Sequence, residues 1–307
     1  MKSKHFLSIS DVSIEELEDL LDKAIYIKKH PFEYRTALAG KTLAMIFQKP
    51  STRTRVSFEV GMWQLGGYAL YLSGTDLQIG RGETIADTSR VISRYCDGIM
   101  ARVFAHSDVE ELARYASVPV INGLSDLTHP CQAVADYMTL RERFGVLAGR
   151  KLAYVGDGNN VAHSLLLAGA KLGVHVSVAC PEGYRPNPRI VERALDDAKK
   201  RGSTIEIVTR PEDAVRGADA IYTDVWTSMG QEKEKQERLR AFEGYQVTMD
   251  LMRKANPECV FMHCLPAHRG EEVAAAVADS SQSVIFDEAE NRLHAQKAIL
   301  VELLGPR

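Results

Sequence analysis

Near its start the chain carries apolar residues at the spacing of a helix. Ser13 and Glu16 occupy the positions of a capping box, in which each side chain bonds the other residue's backbone N–H. The apolar side chains that follow recur every three or four positions: Leu17, Leu20, Leu21, Ala24 and Ile27. This spacing places them on one face of a helix. We therefore predict an opening helix that ends near Pro31.

Beyond Pro31, short apolar runs alternate with longer amphipathic stretches. The runs are predicted strands at 42–47, 68–72, 98–103, 118–121, 151–155, 174–179, 204–208, 220–222 and 259–262. Strands that alternate with helical patterns form parallel sheets, because a parallel connection needs a crossover that is usually a helix. The pattern therefore predicts an α/β protein.

A helical pattern over 129–144 separates two such series. It ends at Gly145, and the second series begins at Lys151. A chain of 307 residues is long enough for two domains. We predict two doubly wound parallel-sheet domains, 1–147 and 148–307, with a last helix over about 288–304. Ligands of such folds bind beyond the carboxyl ends of the strands, so we expect the active site in the cleft between the domains.

Composition narrows the class of protein. Hydrophobic residues make up 45% of the chain and charged residues 26%, with a net charge of −3 at pH 7, as in soluble globular proteins. The chain lacks the basic excess of a nucleic-acid-binding protein, and no apolar run reaches the ~18 residues of a membrane span or has the form of a signal peptide. Five cysteines without CxxC spacing argue against disulfides. We expect a cytoplasmic protein that binds neither nucleic acid nor membrane.

An anion site is predicted where the first strand ends. Residues 51–55, Ser-Thr-Arg-Thr-Arg, follow that strand and precede a helical pattern. A strand-to-helix turn brings free backbone N–H groups and the positive end of the helix dipole together, and hydroxyls and a guanidinium add further donors. A phosphate fits such a turn. The alternative is an ordinary helix cap with solvated arginines.

Three more polar residues of this half are candidates for a ligand site. Arg102 ends a predicted strand, where its guanidinium would face the ligand crevice. His129 and Gln132 open the helix 129–144, so a neutral imidazole could donate to a carbonyl oxygen while the glutamine contacts an amide. The alternatives are an interdomain salt bridge for Arg102 and a helix-capping or surface role for His129.

The second half contains a glycine-rich turn at 156–161, Gly-Asp-Gly-Asn-Asn-Val. A dinucleotide-binding turn needs a third glycine where Val161 stands, and Asp157 and Asn160 place polar side chains where a pyrophosphate needs bare backbone. Asn160 could instead bind the carboxylate of a small zwitterion. The alternative is a polar turn that caps a helix.

Two later strand ends carry groups suited to an amine. Asp224 can balance the charge of an amino group, and the loop that follows contains Ser228 and Met229 and could close over the site. Cys264, at another strand end, could hydrogen-bond an amine. The alternatives are a surface connection and an inert buried thiol.

Two histidines flank this cysteine, at His263 and His268, and their spacing raises the question of a metal. No third ligand accompanies them at a useful spacing along the chain, so we expect no metal site.

In their order, these motifs resemble those of the ornithine carbamoyltransferases over the whole chain. The segments are STRTR at 51–55, QIGRGET at 78–84, HPCQ at 129–132, GDGNN at 156–160, DVWTSMGQE at 224–232, HCLPAHRG at 263–270 and ENRLHAQKA at 290–298. STRT and HPxQ are shared by the wider carbamoyltransferase group, whereas SMG and HCLP mark the ornithine type. The resemblance implies cofactor-free transfer of a carbamoyl group from carbamoyl phosphate to the δ-amine of L-ornithine.

The resemblance also implies roles for individual residues. Carbamoyl phosphate would be bound by Ser51, Thr52, Arg53, Thr54, Gln78, Arg102, His129, Gln132, Cys264, Leu265 and Arg292. L-Ornithine would be bound by Asn160, Asp224, Ser228 and Met229. The catalytic residues would be Arg53, Arg102, His129, Asp224 and Cys264. Gln78 would enter the site of a neighbouring subunit of a homotrimer, and the last helix would return to the first domain.

Three other functions compete with this one. A related enzyme could carbamoylate putrescine, N-acetylornithine or aspartate, although the SMG loop with Asp224 favours an acceptor with a free α-amino group. A nicotinamide-dependent dehydrogenase could use the same architecture, but the glycine turn at 156–161 is incomplete. A non-catalytic protein would bind the ligands without forming product.

Overall fold

The computed structural model describes residues 1–74, 82–227 and 234–306. The chain divides into two compact units: Met1–Met138 with Asn291–Arg307, and Thr139–Glu290. This division falls earlier in the chain than the expected boundary at 147/148, and it assigns the last residues to the first unit. None of the helices in the described ranges combines the length and the apolar character that a membrane span requires.

The first unit contains a four-stranded parallel sheet. Its strands are β1 (Thr42–Phe47), β2 (Tyr68–Ser73), β3 (Gly98–Arg102) and β4 (Val120–Leu124), in the order β2-β1-β3-β4. The chain starts in the middle of the sheet, adds one strand on one side and then continues on the other. The topological switch point therefore lies between β1 and β3, where the carboxyl ends of the strands leave a crevice.

The fourth strand differs from its predicted range of 118–121, because it starts at Val120 and continues to Leu124. Asn122 and Gly123, which usually break strands, lie within it. Asn122 pairs with Ala101 of β3, and its buried side chain donates to the backbone oxygen of Leu7 at 2.9 Å. Tertiary hydrogen bonds thus outweigh the low strand preference of these two residues.

Helices precede, connect and follow the strands of the first unit. They are α1 (Ile14–Lys29), α2 (Thr52–Gln64), α3 (Ile85–Ile92), α4 (His106–Tyr115) and α5 (Pro130–Phe144), and a 3₁₀ turn at Ile9–Asp11 precedes them. The predicted capping box of α1 is present: Ser13 Oγ accepts from Glu16 N at 3.1 Å, and Glu16 Oε2 accepts from Ser13 N at 2.9 Å. The division between the two units falls inside α5.

The second unit contains a five-stranded parallel sheet. Its strands are β5 (Lys151–Val155), β6 (His175–Ala179), β7 (Ile205–Val208), β8 (Ala220–Tyr222) and β9 (Val260–Met262), in the order β7-β6-β5-β8-β9. This sheet is also wound in both directions from its first strand, so its switch point lies between β5 and β8. The prediction of two doubly wound α/β sheets is confirmed.

The helices of the second half are α6 (Asn160–Leu172), α7 (Pro188–Arg201), α8 (Pro211–Val215), α9 (Lys235–Ala241), α10 (Met249–Met252), α11 (Ala275–Ala278) and α12 (Ile285–Leu304), with a 3₁₀ turn at Glu182–Tyr184. In β5 and β6 every residue after the first is buried, rather than every second one. Strands of a parallel sheet are covered on both faces, which explains this burial. The polar residues that follow β5, β8 and β9 therefore stand out as candidates for chemistry.

Candidate active site

The predicted anion turn connects β1 to α2 at the switch point of the first sheet. Ser51 caps α2, because its Oγ accepts from the backbone N–H of Thr54 at 3.3 Å. Thr52 begins the helix and is exposed, Arg53 is half-buried, and Thr54 is buried. The helix N-terminus thus points its free N–H groups and dipole at the carboxyl end of β1.

The second arginine of this segment has a different environment. Arg55 forms an ion pair with Glu59 at 2.9 Å and lies over the ring of Tyr71, 3.9 Å from its centroid. This is the surface packing that the alternative interpretation assigned to the arginines of the turn. The helix-cap alternative therefore describes Ser51 and Arg55, and it leaves the burial of Thr54 unexplained.

Arg102 is the last residue of β3 and pairs in register with Phe47 of β1. Arg102 is only 7% exposed. A guanidinium cannot lose its charge in a protein, so this position concentrates positive charge at the switch point.

His129 lies directly before α5 and is 4% exposed. Burial, together with the positive charges of Arg292 and Arg102, lowers the pKa of His129 well below 6.5. The imidazole is therefore neutral at physiological pH, and one of its nitrogens can donate a hydrogen bond without adding a charge. The alternative of a helix-capping or surface histidine does not account for a buried imidazole that is influenced by the charges of two arginines.

Arg292 of α12 connects three parts of the first unit. Its Nη1 donates to Gln132 Oε1 at 2.6 Å, and its Nη2 lies 3.4 Å from Thr54 Oγ1. Gln132 in turn donates from Nε2 to Asp136 Oδ1 at 2.7 Å. Asp136 is fully buried and is linked to Arg292 through the side-chain amide of Gln132. The sequence reasoning missed this residue. Its position four residues after Gln132 on α5 was the available signal.

In the second unit, Asp224 follows β8 and is 7% exposed. Its Oδ2 accepts from Asn159 Nδ2 at 2.9 Å, and its Oδ1 accepts from Val225 N at 2.8 Å and from the thiol of Cys264 at 3.2 Å. Cys264 follows β9, which is the neighbour of β8 in the sheet. Adjacent strand ends therefore bring the predicted carboxylate and thiol together.

The glycine turn after β5 supplies two asparagines. Asn159 caps α6 with its Oδ1, which accepts from the N–H groups of Val161 and Ala162 at 2.9 and 3.2 Å. Its Nδ2 donates the hydrogen bond to Asp224 Oδ2. Asn160 is the first residue of the helix and is half-buried, so its binding role stays a prediction.

A buried ion pair lies beside this turn. Arg238 of α9 is 4% exposed; it pairs with Asp157, donates to the backbone oxygen of Trp226, and lies over the rings of Tyr184 and Phe242. Burial raises the pKa of Asp157 to about 6, although the charge of Arg238 opposes this rise. The sequence reasoning missed Arg238, since no local pattern marks an arginine that pairs with a residue far away in the chain.

Two groups of possible metal ligands occur in the described part of the chain: Asp224, His263 and Cys264, and His268, Glu271 and Glu272. In each group the ligand atoms lie within 4.8 Å of one another. Neither of these groups contains both histidines, since His263 lies with Asp224 and Cys264, and His268 lies with Glu271 and Glu272. The expectation of no metal stays a prediction.

The remaining predicted site residues are Gln78, Ser228, Met229 and Leu265. Gln78, Ser228 and Met229 lie outside the described residues. Leu265 follows Cys264 and has a φ of +58° before a cis peptide bond to Pro266.

These features define a class of protein. Two doubly wound sheets each present polar groups at their switch point. One set carries buried guanidiniums around a neutral histidine, and the other carries a carboxylate and a thiol. The first set suits an anionic group and the second suits an amine, as expected of the class of group-transfer enzymes.

Comparison with known proteins gives the family. The model of the aspartate/ornithine carbamoyltransferase carbamoyl-P binding domain matches residues 4–142, and that of the Asp/Orn binding domain matches 148–303. The chain is 59% identical to an ornithine carbamoyltransferase of Thermococcus kodakarensis, over 99% of this chain and 98% of that protein. It is 57% identical to one from Pyrococcus furiosus named anabolic, over 99% and 98%.

Solved structures agree with this comparison. An ornithine carbamoyltransferase from Pyrococcus furiosus superposes with a TM-score of 0.93 at 59% identity, covering 96% of this chain and 95% of that one. An anabolic ornithine carbamoyltransferase from Campylobacter jejuni also gives 0.93, at 42% identity, covering 98% and 99%. The chain belongs to the aspartate/ornithine carbamoyltransferase family, and the resemblance found in the sequence is confirmed.

Proposed function

We propose that the chain transfers the carbamoyl group of carbamoyl phosphate to the δ-amine of L-ornithine, giving L-citrulline and phosphate. The observation that carries this function is the buried cluster of Arg102, Arg292 and neutral His129 in the first unit. Two fixed positive charges suit a dianionic phosphate, and an uncharged N–H donor suits the carbonyl oxygen beside it. Family membership supplies the carbamoyl donor and ornithine.

On the donor side, Ser51, Thr52, Arg53 and Thr54 bind the phosphate at the start of α2, and Arg102 bridges the phosphate and the carbonyl oxygen. His129 donates to that oxygen as it gains negative charge. Gln132 Oε1 already accepts from Arg292, but an amide oxygen has a second lone pair, which can accept from the carbamoyl NH₂. These donors are in place before the reaction, so little reorganisation is needed in the transition state.

On the acceptor side, Asn160 and Asp224 bind ornithine together with Ser228 and Met229. Cys264 and Leu265, which the resemblance also assigns to carbamoyl phosphate, lie near the reacting atoms of both substrates. The ornithine amine has a solution pKa near ~10.4, by analogy with lysine, so its ammonium form first releases one proton to solvent and the neutral amine then attacks. Attack forms the N–C bond and breaks the C–O bond to phosphate. The departing phosphate accepts the amine proton, so no cofactor is required.

Further proposals concern assembly and cellular role. We propose a cytoplasmic homotrimer in which Gln78 completes the site of a neighbour, acting in arginine biosynthesis. Large exposed apolar side chains in the first unit support an interface: Val56, Trp63, Tyr68 and Leu70. All five cysteines are free thiols, which agrees with a reducing compartment. Light scattering on the purified protein measures the assembly.

One assay tests the activity. The protein is offered carbamoyl phosphate with ornithine, putrescine, N-acetylornithine, lysine or aspartate, and the ureido product is measured. We expect product with ornithine and at most traces with the others. A preference for another amine, or no product with any, overturns the proposal.

Substitution then tests the site. Arg53→Ala and Arg102→Leu are expected to abolish transfer, because each removes a cation from the phosphate site. Arg55→Ala is the matched control, since Arg55 pairs with Glu59 on the surface. Near-normal turnover in either of the first two variants contradicts the assigned roles.

A further inference from the structure

The segment between β9 and Glu272 carries Cys264 and Leu265 without the support of a helix or strand. Leu265 has a φ of +58°, in the left-handed region that residues with a side chain seldom adopt. Such a conformation persists only when the surroundings fix it. Something in the fold must therefore hold this backbone in place.

One contact to this backbone comes from its own histidine. Leu265 N donates to His263 Nδ1 at 2.9 Å. A nitrogen that accepts from a backbone N–H carries no proton, so the imidazole proton is on Nε2. Nε2 lies 3.2 Å from Glu272 Oε1, which accepts that proton in a hydrogen bond. The carboxylate thus fixes both the tautomer and the plane of the ring.

Two further contacts hold the segment at its ends. Glu272 Oε1 also accepts from His268 N at 2.5 Å. At the other end, His263 N donates to Glu288 Oε2 at 3.0 Å, and Glu288 Oε1 accepts from the hydroxyl of Tyr222 at 3.0 Å. His263, Glu272 and Glu288 are all completely buried. Buried carboxylates that accept several hydrogen bonds are rigid anchors.

The thiol of Cys264 lies between these anchored neighbours. It donates to Asp224 at 3.2 Å, so its direction depends on the backbone at 263 and 265. We propose that Glu272 and His263 are positioning residues that hold Leu265 in its left-handed conformation and thereby aim Cys264 at the acceptor amine. Glu288 fixes the start of the same segment. This role rests on the proposed function, because Cys264 and Asp224 are its acceptor residues.

Kinetics test the proposal on the intact enzyme. Glu272→Ala removes the acceptor of the imidazole proton. We expect the KM for ornithine to rise about tenfold or more, because a small misplacement of a reacting group has large effects. The KM for carbamoyl phosphate should change less. Glu272→Gln restores an accepting oxygen of the same reach and recovers most of the loss. Glu271→Ala is the matched control, as that neighbour pairs with Lys235.

A second measurement needs no substrate. Alkylation of Cys264 by iodoacetamide is followed by peptide mass spectrometry, with Cys96 of the first unit as the internal reference in the same sample. Loss of the anchor should free the thiol, so Glu272→Ala and His263→Phe raise the ratio of Cys264 to Cys96 labelling severalfold. This readout stands even if ornithine proves not to be the substrate.

The outcomes separate the possibilities. A lower melting temperature in Glu272→Ala with unchanged ornithine KM and unchanged labelling means a merely structural role and overturns the proposal. Equal losses for ornithine and carbamoyl phosphate also overturn it. If the unsubstituted protein does not turn over ornithine but the variants show altered labelling, the proposed function is wrong. The positioning role of His263 and Glu272 is then still supported.

Discussion

The buried pair of Arg238 and Asp157 gives a prediction in which stability depends on pH in a stated direction. Burial raises the pKa of Asp157 from 3.8 to about 6 even with the guanidinium present. The shift corresponds to a cost of about 3 kcal/mol for ionising the native carboxyl relative to the unfolded one. An acid with a raised pKa binds more protons in the native state, so its contribution to stability falls as pH rises from 4 to 6.

Arg238→Met removes the positive charge and keeps an apolar stem against Tyr184 and Phe242. The pKa of Asp157 then rises further above 6, because the guanidinium no longer lowers it. At pH 8 the carboxyl must be buried either unpaired or protonated, and breaking a buried pair costs about 3–5 kcal/mol. At pH 5.5 the carboxyl is mostly protonated, and the loss falls to about 1–2 kcal/mol for the hydrogen bond to Trp226.

Urea unfolding followed by tryptophan fluorescence measures this difference. The chain has two tryptophans, and Trp63→Phe removes the exposed one, so the signal comes from Trp226, which stacks on Phe242. Arg240→Met, at an exposed position of α9, is the matched control. Adding Asp157→Asn to Arg238→Met should recover most of the stability at pH 8, since no charge is left unpaired.

Two results would refute this reasoning. The first is a loss in Arg238→Met that is equal at pH 5.5 and pH 8. The second is a double variant no more stable at pH 8 than the single one. Either means that packing by the arginine, and not neutralisation of Asp157, stabilises this region.

Three further predictions concern the substrate sites. Cys264→Ala should weaken ornithine use more than carbamoyl phosphate binding, and equal losses in initial-rate measurements speak against its place at the acceptor. Gln132→Met breaks the link between Arg292 and Asp136, so calorimetry should find carbamoyl phosphate binding weakened by about 1.5–3 kcal/mol, as for hydrogen bonds to charged groups; unchanged affinity contradicts it. The pKa of His129 is lowered in the native state, so the unfolded chain takes up a proton first and stability falls as pH drops below 6.5. His129→Gln should reduce the fall in melting temperature between pH 7 and pH 5. An unaltered slope would show that His129 is not the source of this pH dependence.

Much of the fold follows from residues that are close together in the chain. The capping box at Ser13 and Glu16 and the apolar runs of β1 and β5 follow from neighbours in the chain, and both structures appear at the predicted residues. Parallel strands end at one edge of a sheet, so Arg102, Asp224 and Cys264 could be assigned to the two ligand edges from the sequence. The family, too, was evident from ordered motifs.

The contacts that join distant residues were not available in this way. Asp224 is held by Asn159 as well as by Cys264, whereas the turn itself drew attention to Asn160. Asp224 lies close to His263 although the two residues are far apart in the chain.

The sequence by itself determined the two doubly wound sheets, the family and the polar strand ends, because periodicity, capping and strand-end position are local properties. Only the tertiary structure decided which buried groups pair: Arg292 with Gln132, Arg238 with Asp157 and His263 with Glu272. A charge buried away from water requires a partner wherever the fold can supply one. That partner is chosen by proximity in space, which no spacing along the chain encodes.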